Sequence, residues 1–208
     1  LAGPTVSRIY LARNEFRDIW GWDRECNSTD GASGQYFGAV ASATATMVTL
    51  PAAQEWKPDV LAGHTLYIVG GRGKGQYRRV VGNTGTTVTV DEPFALLPDA
   101  TSVIGINHTM DRFLVVQNKY AEVRIAFQFY GTGMESLVAE NEASRAGGFW
   151  SHASHYAGPP QKGSQPQFYI QYLDNHITEG NHIHAVPAGY QYGGGDSAIG
   201  VGAHPSTN

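Results

Sequence analysis

The sequence lacks several features that would indicate whole classes of protein. Cysteine occurs once, at Cys26, which excludes an intrachain disulfide and a thiolate metal cluster within one chain. No stretch approaches the roughly 18 uninterrupted apolar residues that a membrane-spanning helix needs. We therefore expect no membrane partner.

Charge is also scarce. Charged residues make up 15% of the chain, against roughly 25% in an average soluble protein. Lys and Arg number 14 and Asp and Glu 18, which gives a formal net charge of -4. That charge creates no field able to hold a nucleic-acid backbone, so we expect no nucleic-acid partner.

Glycine and aromatic residues, in contrast, are abundant. The chain has 26 Gly among its 208 residues, and its aromatic content is 11%. This composition indicates a folded, turn-rich chain, and the length fits one β-rich domain with an insertion. Helical patterns are few: the best helical stretch, residues 135–145, is bracketed by Gly133 and Gly147 and fits a strand equally well.

Four segments share one pattern, in which alternating apolar residues lead to an asparagine. They are residues 9–14, 113–118, 137–141 and 169–175. Such recurrence predicts a solenoid with Asn14, Asn118, Asn141 and Asn175 in a ladder, each Asn taking the left-handed conformation at a turn. A second apolar stretch after each Asn, at residues 19–22, 123–127, 148–150 and 182–185, predicts two strands per repeat. The alternative is a β-sandwich whose strands happen to end at Asn.

On this coil pattern, residues 6–35 and 108–192 resemble the right-handed parallel β-helix superfamily. That superfamily includes pectate-lyase-like enzymes, many glycoside hydrolases, epimerases and phage tailspikes. The resemblance implies an all-β fold, a short or partial right-handed parallel β-helix interrupted by a small antiparallel β module. Because it rests on a coil pattern, it implies a fold more specifically than a chemistry.

The interruption lies in residues 38–107. Short apolar segments at 46–50, 65–69, 77–81 and 86–90 alternate with turn residues at hairpin spacing, which predicts antiparallel strands. The run 70–78 and the prolines after it resemble a small β-barrel insert of phage and bacterial β-helix proteins. The predicted division is therefore coils at 1–37 and 108–192, an inserted module at 38–107 with Gly38 near Asn107, and a Gly-rich polar tail at 193–208.

One glycine run could be mistaken for a phosphate-binding loop. In that motif the lysine is followed by Ser or Thr and opens a helix. Here Lys74 lies between Gly73 and Gly75 and a strand follows. The run therefore predicts a hairpin turn.

The first candidate site contains two tryptophans and three charged residues. Trp20 and Trp22 offer faces on which sugar rings stack, and Asp23 and Glu25, two apart on a strand, fit the separation of a glycosidase acid pair. Arg24 joins them as a third catalytic candidate. The alternative is that the tryptophans fill the core and the charges are solvated.

A second set of candidates follows the later coils. Residues at comparable distances after their Asn are predicted to stack along one wall: Trp22, Gln128, Trp150, His152 and His184. The candidate substrate-binding residues are Trp20, Trp22, Gln128, Trp150, His152 and Tyr156. His182 and His184, on one face of a strand and assisted by Glu179, could bind a divalent metal. The alternative leaves both histidines in solvent. Arg124 and Arg145 either neutralise a uronate carboxylate or cap the surface.

These observations predict a secreted, carbohydrate-active β-helix protein, or a fragment of one, at the cell surface or outside the cell. It would bind a polysaccharide and, if it is an enzyme, cleave it as a hydrolase or a lyase. The alternative is a noncatalytic structural or adhesive β-helix, such as part of a phage tail fibre or surface protein. We expect the coils to associate with further coils, from another copy or from the rest of a longer chain.

Overall fold

The structure, a computed structural model, describes residues 6–19, 25–30, 34–123, 125–158, 161–179 and 199–205. Over this part of the chain the fold is all-β, with no helix. No helix long and apolar enough to cross a membrane is found in the same residues. The strands form three parallel sheets and one antiparallel sheet.

The parallel strands are named here by sheet. Sheet A contains β1 (Val6–Ser7), β2 (Tyr10–Ala12), β12 (Met110–Asp111), β13 (Leu114–Val116), β16 (Gly133–Ala139) and β20 (Gln167–Leu173). Sheet B contains β3 (Glu15–Arg17), β14 (Lys119–Ala121), β17 (Glu142–Ser144) and β21 (His176–Thr178). Sheet C contains β4 (Glu25–Asp30), β15 (Ile125–Tyr130), β18 (Gly147–Gly158) and β22 (Ile199–Pro205), with β19 (Gln161–Gln165) antiparallel to β18.

The chain visits the three sheets in the same order four times, and each pass is called a rung. Rung one is β1 to β4, rung two β12 to β15, rung three β16 to β18, and rung four β20 to β22. The expectation of two strands per repeat is wrong, because the three-residue strands of sheet B add a third. Strand β22 lies where the sequence predicts a polar tail.

Apolar side chains fill the space between the three sheets. Leu11, Val115, Val138 and Tyr172 occupy one row across the rungs of sheet A. Phe127 and Phe149 are paired in sheet C. These residues belong to one core cluster or pack against it. Alternate side chains of each strand therefore point inward, and the stacking of the rungs joins these side chains into a continuous core.

The asparagine ladder is confirmed. Nδ2 of Asn14 donates to Oδ1 of Asn118 at 3.0 Å, Nδ2 of Asn118 to Oδ1 of Asn141 at 3.0 Å, and Nδ2 of Asn141 to Oδ1 of Asn175 at 2.8 Å. Each of these oxygens also accepts the backbone N–H of the preceding Asn. The ladder thus satisfies buried backbone and side-chain groups of all four rungs at the turn from sheet A to sheet B.

The left-handed residue at this turn is not the asparagine, as the sequence analysis expects, but the residue before it. The φ angle lies between 49° and 57° at all four of these positions, which are Arg13, Gln117, Glu140 and Asp174. The N–H of Gln117 donates to the Ala139 carbonyl on the next rung at 3.1 Å. The Asn side chain turns inward and the left-handed residue outward, so a charged or polar residue occupies the strained position.

The seven-stranded antiparallel sheet lies between rungs one and two of the chain. Its strands are β5 (Tyr36–Ala39), β6 (Ser42–Thr44), β7 (Met47–Thr49), β8 (Thr65–Gly70), β9 (Tyr77–Asn83), β10 (Thr87–Val90) and β11 (Val103–Asn107). Their order is β5-β11-β8-β9-β10-β7-β6. Because β5 and β6 are at opposite ends of the sheet but only two residues apart in the chain, the sheet curls until its ends meet.

Four of these strands fall where the sequence predicts them, whereas β5, β6 and β11 were not predicted. Gly38 pairs with Ile104, and the Gln35 N–H donates to the Ile106 carbonyl at 2.7 Å. The strands by which the chain enters and leaves the antiparallel sheet, β5 and β11, are therefore adjacent. The predicted boundary at 37/38 falls inside β5. A core separate from that of the rungs fills the curled sheet.

The glycine run forms the turn between β8 and β9. Gly71 has a φ of +69°, and a Cβ on it would lie 1.9 Å from the Thr101 carbonyl oxygen. Only glycine fits this close approach. The run is therefore a hairpin turn, as the sequence predicts.

A buried polar junction joins the antiparallel sheet to the rungs. Arg79 pairs with the buried Asp111 and donates from Nη1 to Oγ1 of Thr65 at 2.7 Å. Nδ2 of Asn107 donates to Oγ1 of Thr132 at 3.2 Å. The ring of Tyr67 on β8 also meets that of Phe168 on β20 edge to face, with centroids 6.3 Å apart. The antiparallel sheet and the rungs are therefore joined by hydrogen bonds, an ion pair and an aromatic contact.

The rings of two histidines contact each other beside this junction, with their planes inclined by 38°. The ring centroids of His64 and His108 are 4.0 Å apart, and His64 is 1% exposed. Burial, and then the neighbouring His108, lower the pKa of His64 to about 4. Burial also lowers the pKa of His108.

The first prediction concerns the ladder. Asn141→Ala should lower the free energy of unfolding by about 2 to 4 kcal/mol, because it leaves buried groups of both neighbouring rungs unpaired. Asn14→Ala, at the exposed end of the ladder, is the matched control and should lose about 1 kcal/mol or less. Urea unfolding followed by circular dichroism measures both. Equal losses would contradict a role that depends on burial within the stack.

The second prediction concerns pH. The folded state holds the pKa of His64 below its unfolded value, so between about pH 6.5 and 4 the unfolded chain binds more protons. The unfolding free energy should fall as pH drops through this window, with His64 contributing about 2 kcal/mol. His64→Gln should flatten the pH dependence. Parallel pH profiles for wild type and His64→Gln would contradict the assignment.

Candidate functional site

The candidate site lies on the outer face of sheet C. Strand register places Ser28, Gln128 and Trp150 opposite one another on successive rungs, and Tyr130 opposite His152. The intervening residues Phe127, Phe129 and Phe149 belong to the core between the sheets. Alternation therefore turns the amide, indole, phenol and imidazole groups away from that core.

The structure thus places some of the residues of the predicted wall side by side. Gln128 and Trp150 are direct cross-rung neighbours, and His152 is two residues beyond Trp150 on the same strand. The register, however, pairs Gln128 with Ser28, so Trp22 is not its counterpart in rung one. Trp20, Trp22, Asp23 and Arg24 lie outside the described residues, as do His182, His184 and the side chain of Tyr156.

Gln128 and Glu25 form the polar centre of this face. Gln128 is 2% exposed, and its Nε2 donates to Oε1 of Glu25 at 3.0 Å. An amide buried to this degree positions its neighbours and offers little surface to a ligand. Glu25 is therefore the candidate catalytic residue whose carboxylate is held by a hydrogen bond from a buried side chain.

Aromatic rings make up the more accessible part. Trp150 and His152 are half-buried, and the rings of His152 and Tyr130 meet edge to face with centroids 5.2 Å apart. The indole Nε1 of Trp150 is buried and has no hydrogen-bond partner in the structure. Tyr130 was not recognised from the sequence, although its spacing of two from Gln128 could have indicated it.

Ser151, between Trp150 and His152, faces the interior. Its hydroxyl lies 2.7 Å from the hydroxyl of Tyr172, and burial raises the pKa of Tyr172 to about 12. The hydroxyl is therefore on the opposite side of the strand from the imidazole of His152. This agrees with the absence of a serine nucleophile motif in the sequence.

Several glutamates elsewhere on the rungs contact a side chain of the neighbouring rung, whereas Glu15 pairs with Arg17 on its own strand. Arg112 Nε lies 3.1 Å from Glu135 Oε2, Gln117 Nε2 donates to Glu140 Oε2 at 2.8 Å, and Lys119 Nζ lies 3.3 Å from Glu142 Oε2. Such exposed pairs contribute modestly one by one. Their shared feature is that each bridges two consecutive rungs.

Arg145 is the centre of another bridge. It pairs with Glu122 on rung two, and its Nη1 lies 3.6 Å from Oε2 of Glu179 on rung four. The hydrogen bond that Arg145 donates to Glu122, and then the negative charge of Glu122, raise the pKa of Arg145. Glu179, which the sequence analysis offers as a metal ligand beside His182 and His184, is thus used in an ion pair.

Metal binding finds no further support in the described part of the chain. No group of three or more His, Cys, Asp or Glu residues there could hold a metal ion. The proposed pair His182 and His184 lies beyond those residues.

Comparisons with known proteins identify no family. No family model matches the sequence, and no curated protein matches it. Among solved structures, the chain is similar to the tailspike protein gp49 of Pseudomonas phage LKA1, with 12% identity, a TM-score of 0.39, and coverage of 83% of this chain and 34% of that one. It is also similar to the tailspike gp61 of Pseudomonas phage phi297, with 11% identity, a TM-score of 0.35, and coverage of 95% and 37%. The chain thus spans about a third of the length of these structures.

A third prediction tests the packing beside Glu25. Cys26 is half-buried, and burial raises the pKa of its thiol to about 11. Because the thiolate is the reactive form, labelling by a disulfide reagent at pH 8 should be slow in the folded chain and fast in guanidinium. The chain has one Cys, so the labelling rate reports this site alone. Equal rates in both conditions would contradict the packing described.

Proposed function

We propose that this chain is a noncatalytic structural segment that binds polysaccharide, as part of a tail fibre or a cell-surface protein outside the cell. The parallel rungs would be a stretch of right-handed parallel β-helix formed by residues 1–37 and 108–192. Residues 38–107 would be a module inserted into it.

The structural part of the proposal rests on one observation, namely that several glutamate carboxylates contact side chains of another rung. Glu122, Glu135, Glu140, Glu142 and Glu179 each contact a side chain on another rung. A hydrolase needs a carboxyl group free to exchange protons with its substrate. Carboxylates that instead pair with side chains of another rung favour a structural role for the stacked rungs.

The binding part of the proposal rests on the outer face of sheet C. Trp150, His152 and Tyr130 form a small aromatic surface on adjacent rungs, with the buried Gln128 behind it. Aromatic faces of this kind stack on the apolar faces of sugar rings. Trp150, His152 and Tyr156, with Trp20 and Trp22, are the substrate-binding residues of the proposal, and the buried Gln128 positions its neighbours.

The alternative is that the chain is an enzyme, and it depends on the carboxylate of Glu25. Glu25 accepts a hydrogen bond from Gln128, a support that could orient a carboxylate. In this alternative Asp23, Arg24 and Glu25 would cleave the bound glycan. A divalent metal at His182 and His184 would be an accessory.

The fourth prediction tests binding with a polysaccharide panel. Trp150→Ala should weaken binding by about 1 to 3 kcal/mol, the loss expected for a large aromatic contact. Trp56→Ala is the matched control, since Trp56 is also half-buried but packs on the antiparallel sheet. Titration calorimetry measures affinity, and melting curves confirm folding. Binding unaffected by Trp150→Ala, or no binding to any glycan, would contradict the proposal.

The same panel distinguishes the catalytic alternative. Reducing ends and the absorbance of unsaturated products are measured with wild type, Asp23→Asn and Glu25→Gln. We expect no product from any of the three. Product from wild type that disappears in both variants would overturn the noncatalytic assignment in favour of an enzyme.

A further inference from the structure

An exposed apolar face covers the C-terminal part of sheet A. The outward positions of this part form two rows across the rungs. The first row is Tyr10, Leu114, Leu137 and Gln171, and the second is Ala12, Val116, Ala139 and Leu173. All of them except Gln171 are apolar. We call this surface the sheet A face.

Much of the sheet A face is open to solvent. Tyr10 is 61% exposed, Leu114 45% and Leu173 50%. Single exposed apolar residues are ordinary, but contiguous apolar patches mark association surfaces. The register makes these residues contiguous, since Tyr10 and Leu114 are opposite each other on neighbouring strands.

Two columns of left-handed residues border this face, and their charges change sign along the stack. The first border is Arg8, Arg112, Glu135 and Tyr169, and the second is Arg13, Gln117, Glu140 and Asp174, in rung order. All eight side chains are exposed, although in the first border Glu135 accepts a hydrogen bond from Tyr77 and Tyr169 donates one to the Gly75 carbonyl of the antiparallel module. Rung one is therefore basic on both sides of the face, and rung three is acidic on both sides.

We propose that the sheet A face binds a second copy of this chain, face to face, with the two stacks of rungs antiparallel. This association is independent of the proposed polysaccharide binding, which uses sheet C. The charges on the borders decide the orientation.

Two isologous arrangements bring the faces together. A twofold axis parallel to the strands reverses the order of the rungs and leaves each border opposite its own copy. Arg13 then meets Asp174 of the second copy, whereas Arg112 and Glu135 already pair with each other within each copy. A twofold axis parallel to the stacking direction keeps the order and exchanges the borders, which puts Arg8 against Arg13 and Glu135 against Glu140.

Charge complementarity therefore favours the antiparallel pair, since like charges across an interface are unfavourable. A threefold assembly around an axis parallel to the stack keeps the rung order as well, and it meets the same repulsion. Side-chain size agrees with the antiparallel arrangement. It brings Ala12 opposite Leu173 of the second copy, so a small residue accommodates a large one, and Leu114 opposite Leu137.

The fifth prediction is the oligomeric state. Light scattering and sedimentation of the chain should show a dimer that dissociates on dilution. Leu114→Glu, which is present twice in a symmetric interface, should raise the dimer dissociation constant about 100-fold. Leu97→Glu is the control, because Leu97 is similarly exposed on the antiparallel module. A monomer at every concentration, a trimer, or equal effects of both variants would overturn the proposal.

The orientation has its own test. In the antiparallel dimer Arg13→Glu faces Asp174 and should weaken association about tenfold, and adding Asp174→Arg should restore it. In the parallel arrangement Arg13→Glu faces Arg8 and should strengthen association instead. Tighter association of the single variant, or no restoration in the double variant, would overturn the antiparallel geometry. Trp150→Ala should leave association unchanged.

Discussion

The rest of the structure depends on hydrogen bonds that run from rung to rung through buried asparagine amides. Asn118 and Asn141 are fully buried, and each binds the rung before and the rung after it. An amide has both donors and an acceptor, so it can satisfy the backbone at a turn and its own copy one rung away. This requirement sets the spacing of strands on either side of the turn.

The ladder has a consequence for the outside of the molecule. Because each Asn points inward, the preceding residue takes the left-handed conformation and points outward. Those outward positions carry Arg, Gln, Glu and Asp, and they form the second border of the sheet A face. Gln117 and Glu140 among them also bridge two rungs. A backbone constraint in the interior thereby orders the charges on the surface, where they can select a partner's orientation.

The antiparallel sheet is held differently. Its core is separate from that of the rungs. The contact between them combines polar pairs, Arg79 with Asp111 and Asn107 with Thr132, with aromatic contacts such as that of Tyr67 with Phe168. Buried polar contacts are directional, so they define the angle between two bodies more narrowly than apolar packing does. The contacting rings of His64 and His108 make the same region sensitive to protonation.

The sequence by itself determined the stacked strands, the asparagine ladder and the antiparallel strands, because each leaves a local pattern of alternation or spacing. Tertiary structure alone decided the third strand of each rung, whose three residues carry too little pattern to detect. It also decided that Ser28 rather than Trp22 neighbours Gln128, and that Glu25 supports that amide. These contacts join residues about a hundred positions apart, and their register depends on how the chain packs across the insertion.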